Sequence, residues 1–362
     1  MVERPPVELP VIESGVPPKP SRGTMARWRF LSLGIVQFLI VAHVVAWFVF
    51  GWSWTPIEPS EAMSTVKEGV ITVGTIFFAA AILSTLLFGR FFCGWACHII
   101  LLQDACGALL RKGGLRPKPF RSRLLRWMPV VLAFYMFLWP LVHRFAIAPW
   151  MNVDASWPGF TWELTTTDFW STFPGWLMAV PFLFVCGFLI VYFLGMKGYC
   201  TYACPYGGIF APVEQLSPLR IRVDDSCKAC GQCTAVCTSN VRVAEEVAAF
   251  GMVVDAGCMK TLDCVAACPN EALSVGFGAI GLSVPAEQRA KSIRPRFDLS
   301  WTEEIIFGLL AIGLLVTLRG EYSLPLLFAS GVTAIMTWAT WKSWRVFRDE
   351  HAAFHKWRLK VH

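Results

Sequence analysis

Six apolar stretches dominate this chain, at roughly 30–50, 69–88, 125–143, 176–196, 302–319 and 323–344. Each is close to the ~20 apolar residues a helix needs to cross the bilayer's hydrocarbon. Inside lipid every backbone polar group must be satisfied within the segment, so runs of this kind are read as spanning helices. The loops between them sort by charge. Lys19, Arg22, Arg27 and Arg29 precede the first run. Arg90, Arg111, Lys112, Arg116, Lys118, Arg121, Arg123 and Arg126 lie between the second and third, and Lys342, Arg345, Arg348, Lys356, Arg358 and Lys360 flank the end of the sixth. The opposite loops, 51–68 and 144–175, are acidic or nearly neutral. Basic loops stay inside, so both termini and the segment 197–300 are expected in the cytoplasm of a prokaryotic cell, with the chain in its cytoplasmic (inner) membrane. Composition agrees: 55% of residues are hydrophobic and 16% charged, against about 25% charged in a soluble domain. The net charge of +7 is then a property of inside loops, not a nucleic-acid footprint. Residues 1–28, Pro-rich and polar, carry no apolar stretch with a cleavage site and are expected to be a disordered cytoplasmic tail.

An internal repeat lies on the inside edge of these spans. GRFFCGWACH (89–98) and KGYCTYACP (197–205) align without gaps as basic, any, aromatic, Cys, any, aromatic, Ala, Cys. Each follows a pair of spans, so the two halves share one orientation, which suits a pseudo-twofold axis along the membrane normal. Cys93, Cys97, Cys200 and Cys204 are therefore expected to converge at the cytoplasmic face as redox groups or metal ligands. If each motif is helical, the i, i+4 spacing places both of its thiols on one face. A structural disulfide is not expected in a reducing cytoplasm. Cys106 and Cys186 read as small buried residues. Asp104 and Glu214, 7 and 10 residues past Cys97 and Cys204, read as caps or solvated positions of amphipathic segments.

Seven of the 13 cysteines fall between Cys227 and Cys268. The first run, DSCKACGQCTAVC, has Cys227, Cys230, Cys233 and Cys237 at the two, two and three residue spacing of bacterial iron–sulfur proteins, in which the fourth cysteine serves the other cluster. A four-cysteine zinc site instead pairs two distant hooks. The second run, CMKTLDCVAACP, supplies Cys258, Cys264 and Cys268, with Thr261 where the second cysteine is expected. Crossed ligation gives cluster I to Cys227, Cys230, Cys233 and Cys268, as a [4Fe-4S] cluster. It leaves cluster II with Cys237, Cys258 and Cys264, one thiolate short. Cluster II is then a three-iron centre such as [3Fe-4S], a cluster completed by Asp263 or water, or absent; a three-ligand cluster is favoured. The expected fold is an α-helical multi-pass membrane protein of about six spans with an inserted cytoplasmic α+β ferredoxin-like domain. Its divisions are a membrane core at 29–215, the ferredoxin-like segment at 216–285, two C-terminal spans at 300–346 and a basic tail at 347–362.

These motifs in combination resemble the membrane polyferredoxins typified by the NapH, NosR and CcoG proteins, over roughly residues 29–280. The resemblance implies electron transfer between the quinone pool or a cytoplasmic donor and a partner redox protein or metalloenzyme. A role as a quinol dehydrogenase or oxidoreductase subunit follows from it, as does reduction or delivery of a metal during enzyme assembly. The family usually has Cys-Pro at the end of both membrane motifs, whereas here the first ends Cys97-His98. The last two spans lie outside the resemblance. Three readings stand open: an electron carrier, an assembly factor handling copper through the Cys-x3-Cys pairs, whose soft thiolates suit Cu(I), and a redox sensor. His98, beside Cys97, is a candidate metal ligand. His43, in the middle of the first span, is a candidate by the rule that ionisable groups inside a membrane are functional or paired.

Overall fold

The computed structural model describes residues 24–348 apart from 116, 152, 154–155, 169–174 and 293–296. The expected tails at 1–28 and 347–362 lie almost wholly outside the described residues. Helix α1 (Thr24–Phe50) is followed by α2 (Val73–Phe88), which starts at a capping box made by Thr72 and Thr75. The first thiol motif forms the short α3 (Phe91–Ala96) and the amphipathic α4 (His98–Lys112). Two long apolar helices follow, α5 (Leu125–Trp150) and α6 (Leu177–Leu194). The second motif forms α7 (Gly198–Tyr202) and α8 (Pro205–Glu214). The ferredoxin-like segment is β1 (Leu219–Val223), α9 (Gln232–Ala235), α10 (Val243–Phe250), α11 (Asp263–Ala266) and β2 (Leu273–Phe277). A helical pair, α12 (Trp301–Gly320) and α13 (Leu326–Arg348), closes the described chain.

By length and composition, four described helices can cross a membrane: α1 from Arg27, α5, α6 and α12. The other two expected spans differ for visible reasons. Helix α2 has 16 residues, roughly 24 Å at 1.5 Å per residue, short of the ~30 Å hydrocarbon core. Its expected first turn is absent because Gly69, at φ 78°, ends a separate short helix, Ala62–Glu68. Helix α13 is long enough at 23 residues, but Thr333, Thr337, Thr340, Lys342 and Arg345 dilute its hydropathy. Large apolar side chains stand outward on the helices, with Phe38 70%, Leu83 62%, Phe145 61% and Leu309 67% exposed. A belt of that kind is suited to lipid rather than water.

Proline shapes α5. Wide π-turns at Phe134–Leu138 and His143–Ile147 each end two residues before a proline, Pro140 and Pro149. A proline inside a helix removes one N–H and crowds the preceding turn, and widening that turn relieves it.

The membrane elements pack around the two thiol motifs. Helix α1 packs on α3 and α4, while α13 packs on α6 and α7. The second contact forms one core of Cys186, Ile190, Leu194, Tyr199, Tyr202, Phe307 and Ala311. Cys186 is fully buried there, as expected of an apolar filler. The ferredoxin segment has its own core. Strands β1 and β2 pair antiparallel, with Leu219 opposite Phe277 and Val223 opposite Leu273. Ile221, Val241, Val243, Val247, Val253 and Leu273 pack beneath them around Cys258 and Cys264.

Candidate metal centres

Each thiol motif is a helix, a kink and a second helix. A glycine in the left-handed region ends the preceding apolar helix, Gly89 at φ 69° and Gly195 at φ 94°. Cys93 and Cys200 sit in the short helices that follow. At the second cysteine the backbone is extended, with φ/ψ of −80/119° at Cys97 and −88/112° at Cys204. Both residues are therefore N-caps, of α4 and α8. This corrects the expectation of two thiols on one continuous helix face. Backbone N–H groups of Ile99 and Ile100 reach the Cys97 sulfur, and that of Gly207 reaches Cys204. A helix N-terminus carries partial positive charge and works against the burial that otherwise disfavours a thiolate at both positions.

The kinks bring the four thiols together. Cys97 interacts electrostatically with Cys93 and Cys200, and Cys204 with Cys93, Cys97 and Cys200. The Arg90 guanidinium bonds Cys93 and lies within electrostatic reach of Cys200. The Gln103 amide donates to Cys200 Sγ at 3.4 Å. Gln103 is fully buried, and its Oε1 has no hydrogen-bond partner among the described residues. Two carboxylates, Glu214 fully buried and Asp104 half-buried, tie the halves to each other. Asp104, from the first half, pairs with Lys197, which opens the second motif. Glu214, from the second half, accepts from the backbone N–H of Arg90, which opens the first, at 2.7 Å. Asp104 also binds Arg29 Nη1 at 2.6 Å, and Glu214 binds Lys260. The exchange is approximate, since one contact is a side-chain ion pair and the other a carboxylate on a backbone N–H. The sequence reading of Asp104 and Glu214 as solvated positions is thus corrected: Glu214 is fully buried, and both are ion-paired.

The ferredoxin segment repeats its own backbone. Left-handed residues recur 31 positions apart: Ala229 and Lys260, Gly231 and Leu262, Asn240 and Glu271. The helices α9 and α11 keep the same offset. Thr261 therefore occupies the place of Cys230 on an otherwise matching loop. Cys227, Cys230, Cys233 and Cys268 line one cavity of about 310 Å³, with Pro269, Val247 and Leu273 among its walls. A water's share of liquid volume is about 30 Å³, so the opening accommodates a polynuclear group. Among the described residues no three His, Cys, Asp or Glu side chains are arranged to grip a single metal ion. The donor set and the opening fit a [4Fe-4S] cluster held by soft thiolates.

Cys237, Cys258 and Cys264 gather beside this cavity and interact with one another. Asp263, the expected substitute ligand, is engaged elsewhere: it accepts from Thr238 Oγ1 at 3.3 Å and faces Arg29 Nη2 at 3.7 Å. Burial pushes the Cys233 thiol up to about 11 and Cys237 up to about 12. Iron binding therefore has to displace their protons. None of the 13 cysteines is paired in a disulfide.

The two histidines part company. His98 occupies the first position of α4, where the second motif has Pro205 at the start of α8. His43 Nε2 contacts the Trp54 carbonyl at 3.1 Å. It stands 14 residues along α1 from Arg29, roughly 21 Å of helix from the residue that reaches the thiol region, so the structure does not bring His43 to the thiols. Sequence reasoning missed Arg90, Lys197, Gln103 and Lys260. The signal for the first two was present, since both motifs open on a basic residue.

Comparison with known proteins meets this geometry at the repeat. A family model described as a 4Fe-4S binding domain matches twice, at residues 70–116 and 177–223. Each match contains one Cys-x3-Cys motif, and the second ends four residues before Cys227. Fold and site thus define a chain with a repeated 4Fe-4S binding domain and helices long and apolar enough to cross a membrane. Among similar proteins, the ferredoxin-type protein NapH of Haemophilus influenzae is 31% identical over 49% of this chain and 54% of its own length. The Escherichia coli protein YccM is 28% identical over 60% of each. The methylamine utilization ferredoxin-type protein MauN of Methylobacillus flagellatus is 27% identical over 58% of this chain and 76% of its own. The chain is similar to these ferredoxin-type proteins, and its matches span less than two thirds of the length of NapH and YccM. No solved structure matches it.

Proposed function

We propose that this chain is a six-span electron carrier of a prokaryotic cytoplasmic membrane, with its ferredoxin segment and both termini in the cytoplasm. In this reading α2 and α13 join the four longer helices as spans, with α2 extended outward by the short helix before it. Cys227, Cys230, Cys233 and Cys268 hold cluster I, a [4Fe-4S] cluster. Cys237, Cys258 and Cys264 hold a three-ligand cluster II. Cys93, Cys97, Cys200 and Cys204 hold a third centre at the membrane edge. Bound there, iron–sulfur clusters supply one-electron chemistry at potentials set by charge, hydrogen bonding and exposure. The chain's part is to supply thiolates at two helix N-termini, to balance their charge with Arg90 and Lys197, and to exclude water.

The observation that carries the reading is the convergence of four thiols from two matched halves, ringed by cations and docked on a ferredoxin fold. An anionic group is what such a ring favours. Quinol as donor and a partner redox protein as acceptor are inferred from the likeness to ferredoxin-type relatives. The test is iron analysis and EPR of anaerobically purified wild type against a variant with Ser at 93, 97, 200 and 204. Loss of iron and of one signal, with the ferredoxin signals kept, supports the third centre. Unchanged iron, with copper bound only by wild type, moves the assignment to copper handling. Thr261→Cys is expected to add one iron per chain and to replace a three-iron signal; unchanged iron and spectra argue against cluster II.

A further inference from the structure

The two motifs match in their kinks and in the carboxylate each receives from the other half, yet only the first hydrogen-bonds the second cysteine run from within the motif. Gly94 in α3 lies so close to the 256–260 turn that a Cβ there would meet the Met259 carbonyl oxygen at 2.2 Å. Trp95 Nε1 donates to the Lys260 carbonyl at 2.8 Å, and Arg90 Nη1 to that of Ala256 at 3.1 Å. Phe91 and Trp95, stacked at 5.0 Å, pack against the ferredoxin core that contains Cys258 and Cys264. Met259, directly after Cys258, turns the other way and is buried in the core of Cys93, Cys200 and Phe210. Neighbouring residues of one turn thus belong to two different thiol sites.

The second motif has no such joint. Thr201 stands at the position of Gly94, and Tyr202, at that of Trp95, donates instead to the Phe120 carbonyl at 2.6 Å. The difference between GWAC and TYAC is therefore the difference between a motif that hydrogen-bonds this turn itself and one whose half reaches it only through the Glu214–Lys260 pair and Met259 packing.

We infer that Gly94, Trp95 and Arg90 with the 256–260 turn form a positioning joint, which fixes the gap between the Cys237/Cys258/Cys264 thiols and the membrane quartet. The inference rests on the reading that the quartet holds a redox centre. Gly94 is the determinant. With any side chain there the turn has to retreat, because the atom in the way is backbone and not the end of a flexible side chain. A joint that merely tethered the segment would tolerate that retreat. A joint that sets spacing would not, because any exchange between the two centres depends on the gap.

The test is the magnetic interaction between the two centres. It is read as splitting and faster spin relaxation in EPR of the dithionite-reduced full-length protein. Gly94→Thr, which gives the first motif the residue of the second, is expected to keep wild-type iron and to lose the interaction. Trp95→Phe, which removes a single hydrogen bond, is expected to weaken it, and it serves where Gly94→Thr does not accumulate. Full iron and an undiminished interaction in both variants overturn the joint. The four-serine variant separates the underlying reading: if it keeps wild-type iron and spectra, the quartet holds no cluster and both inferences fall. If it loses iron while Gly94→Thr keeps the interaction, only the joint falls.

Discussion

The two halves of the membrane repeat have the same backbone path but different neighbours. Both open on a buried cation, kink at the second thiol and receive a carboxylate from the opposite half. Each is also covered by a helix from outside the repeat, and each cover donates a serine hydroxyl to the motif. Ser32 of α1 reaches the Trp95 carbonyl at 2.9 Å, and Ser330 of α13 reaches that of Ala203 at 2.9 Å. What the halves share serves to gather four thiols; where they differ tracks what is docked on them. The first motif hydrogen-bonds the ferredoxin turn, while the second packs chiefly on α12 and α13. The last two helices, unexplained by the motifs, thus do for the second half what α1 does for the first.

The reciprocal carboxylates give the sharpest way to break this symmetry. Glu214 is fully buried and answers Lys260, 1% exposed, as well as Arg220 at 3.9 Å. Truncating one partner of a buried pair leaves an unpaired charge and costs about 3–5 kcal/mol. Glu214→Ala is expected to lose that much in denaturant or thermal unfolding in detergent. It should also loosen the ferredoxin segment, seen as faster proteolysis between residues 216 and 285. Asp104→Ala is expected to cost less. Its side chain is 15% exposed, and Arg29 retains a second, longer contact to Asp263. Lys197, however, is left buried without its carboxylate. Equal losses in the two variants would mean that the ferredoxin side adds nothing to the Glu214 site.

Much of this was legible before any coordinates. The long apolar helices, the repeat and the cysteine runs follow from hydropathy, alignment and spacing, because each is local or periodic. The cavity that gathers Cys227, Cys230, Cys233 and Cys268 was expected from ligand spacing alone. The kink at Cys97 was not, since a residue four positions on is helical by default and only tertiary packing makes it an N-cap. Asp104 and Glu214 were misread for a related reason. A carboxylate in an amphipathic stretch looks solvated until its partner arrives from far along the chain, Lys197 for Asp104 and the Arg90 backbone N–H with Lys260 for Glu214. Lys260 gave no signal, because nothing in CMKTLDC marks a lysine that points out of the cluster loop.

The cover helices test whether the two halves are held equally. Ser330→Ala removes a buried hydroxyl that bonds both Ala203 and Leu327. Ser32→Ala removes one that bonds only Trp95, from a part-buried position. A net hydrogen bond is worth about 1 kcal/mol, and more when a buried acceptor is left bare. Ser330→Ala is therefore expected to lower Tm by the larger amount, with iron unchanged in both variants. The reverse order would place the tighter cover on the first half.

The smallest effect belongs to the difference that looked most functional in the sequence. His98 and Pro205 both occupy the first position of a helix that starts at a cysteine cap. The N–H there has no intrahelical partner, and proline's fixed φ suits the position, so proline is favoured for backbone reasons alone. His98→Pro is then expected to leave iron content and EPR unchanged. It should stabilise by about 0.4–1 kcal/mol through the lost freedom of the unfolded chain, read as a small rise in Tm. Pro205→His should do the opposite by a similar amount. Loss of iron or a shifted EPR signal in His98→Pro would make the imidazole a ligand of the membrane thiol site and the two halves chemically unequal. Retention of both leaves Gly94 against Thr201 as the difference that matters, and ties the asymmetry of the repeat to docking rather than to ligation.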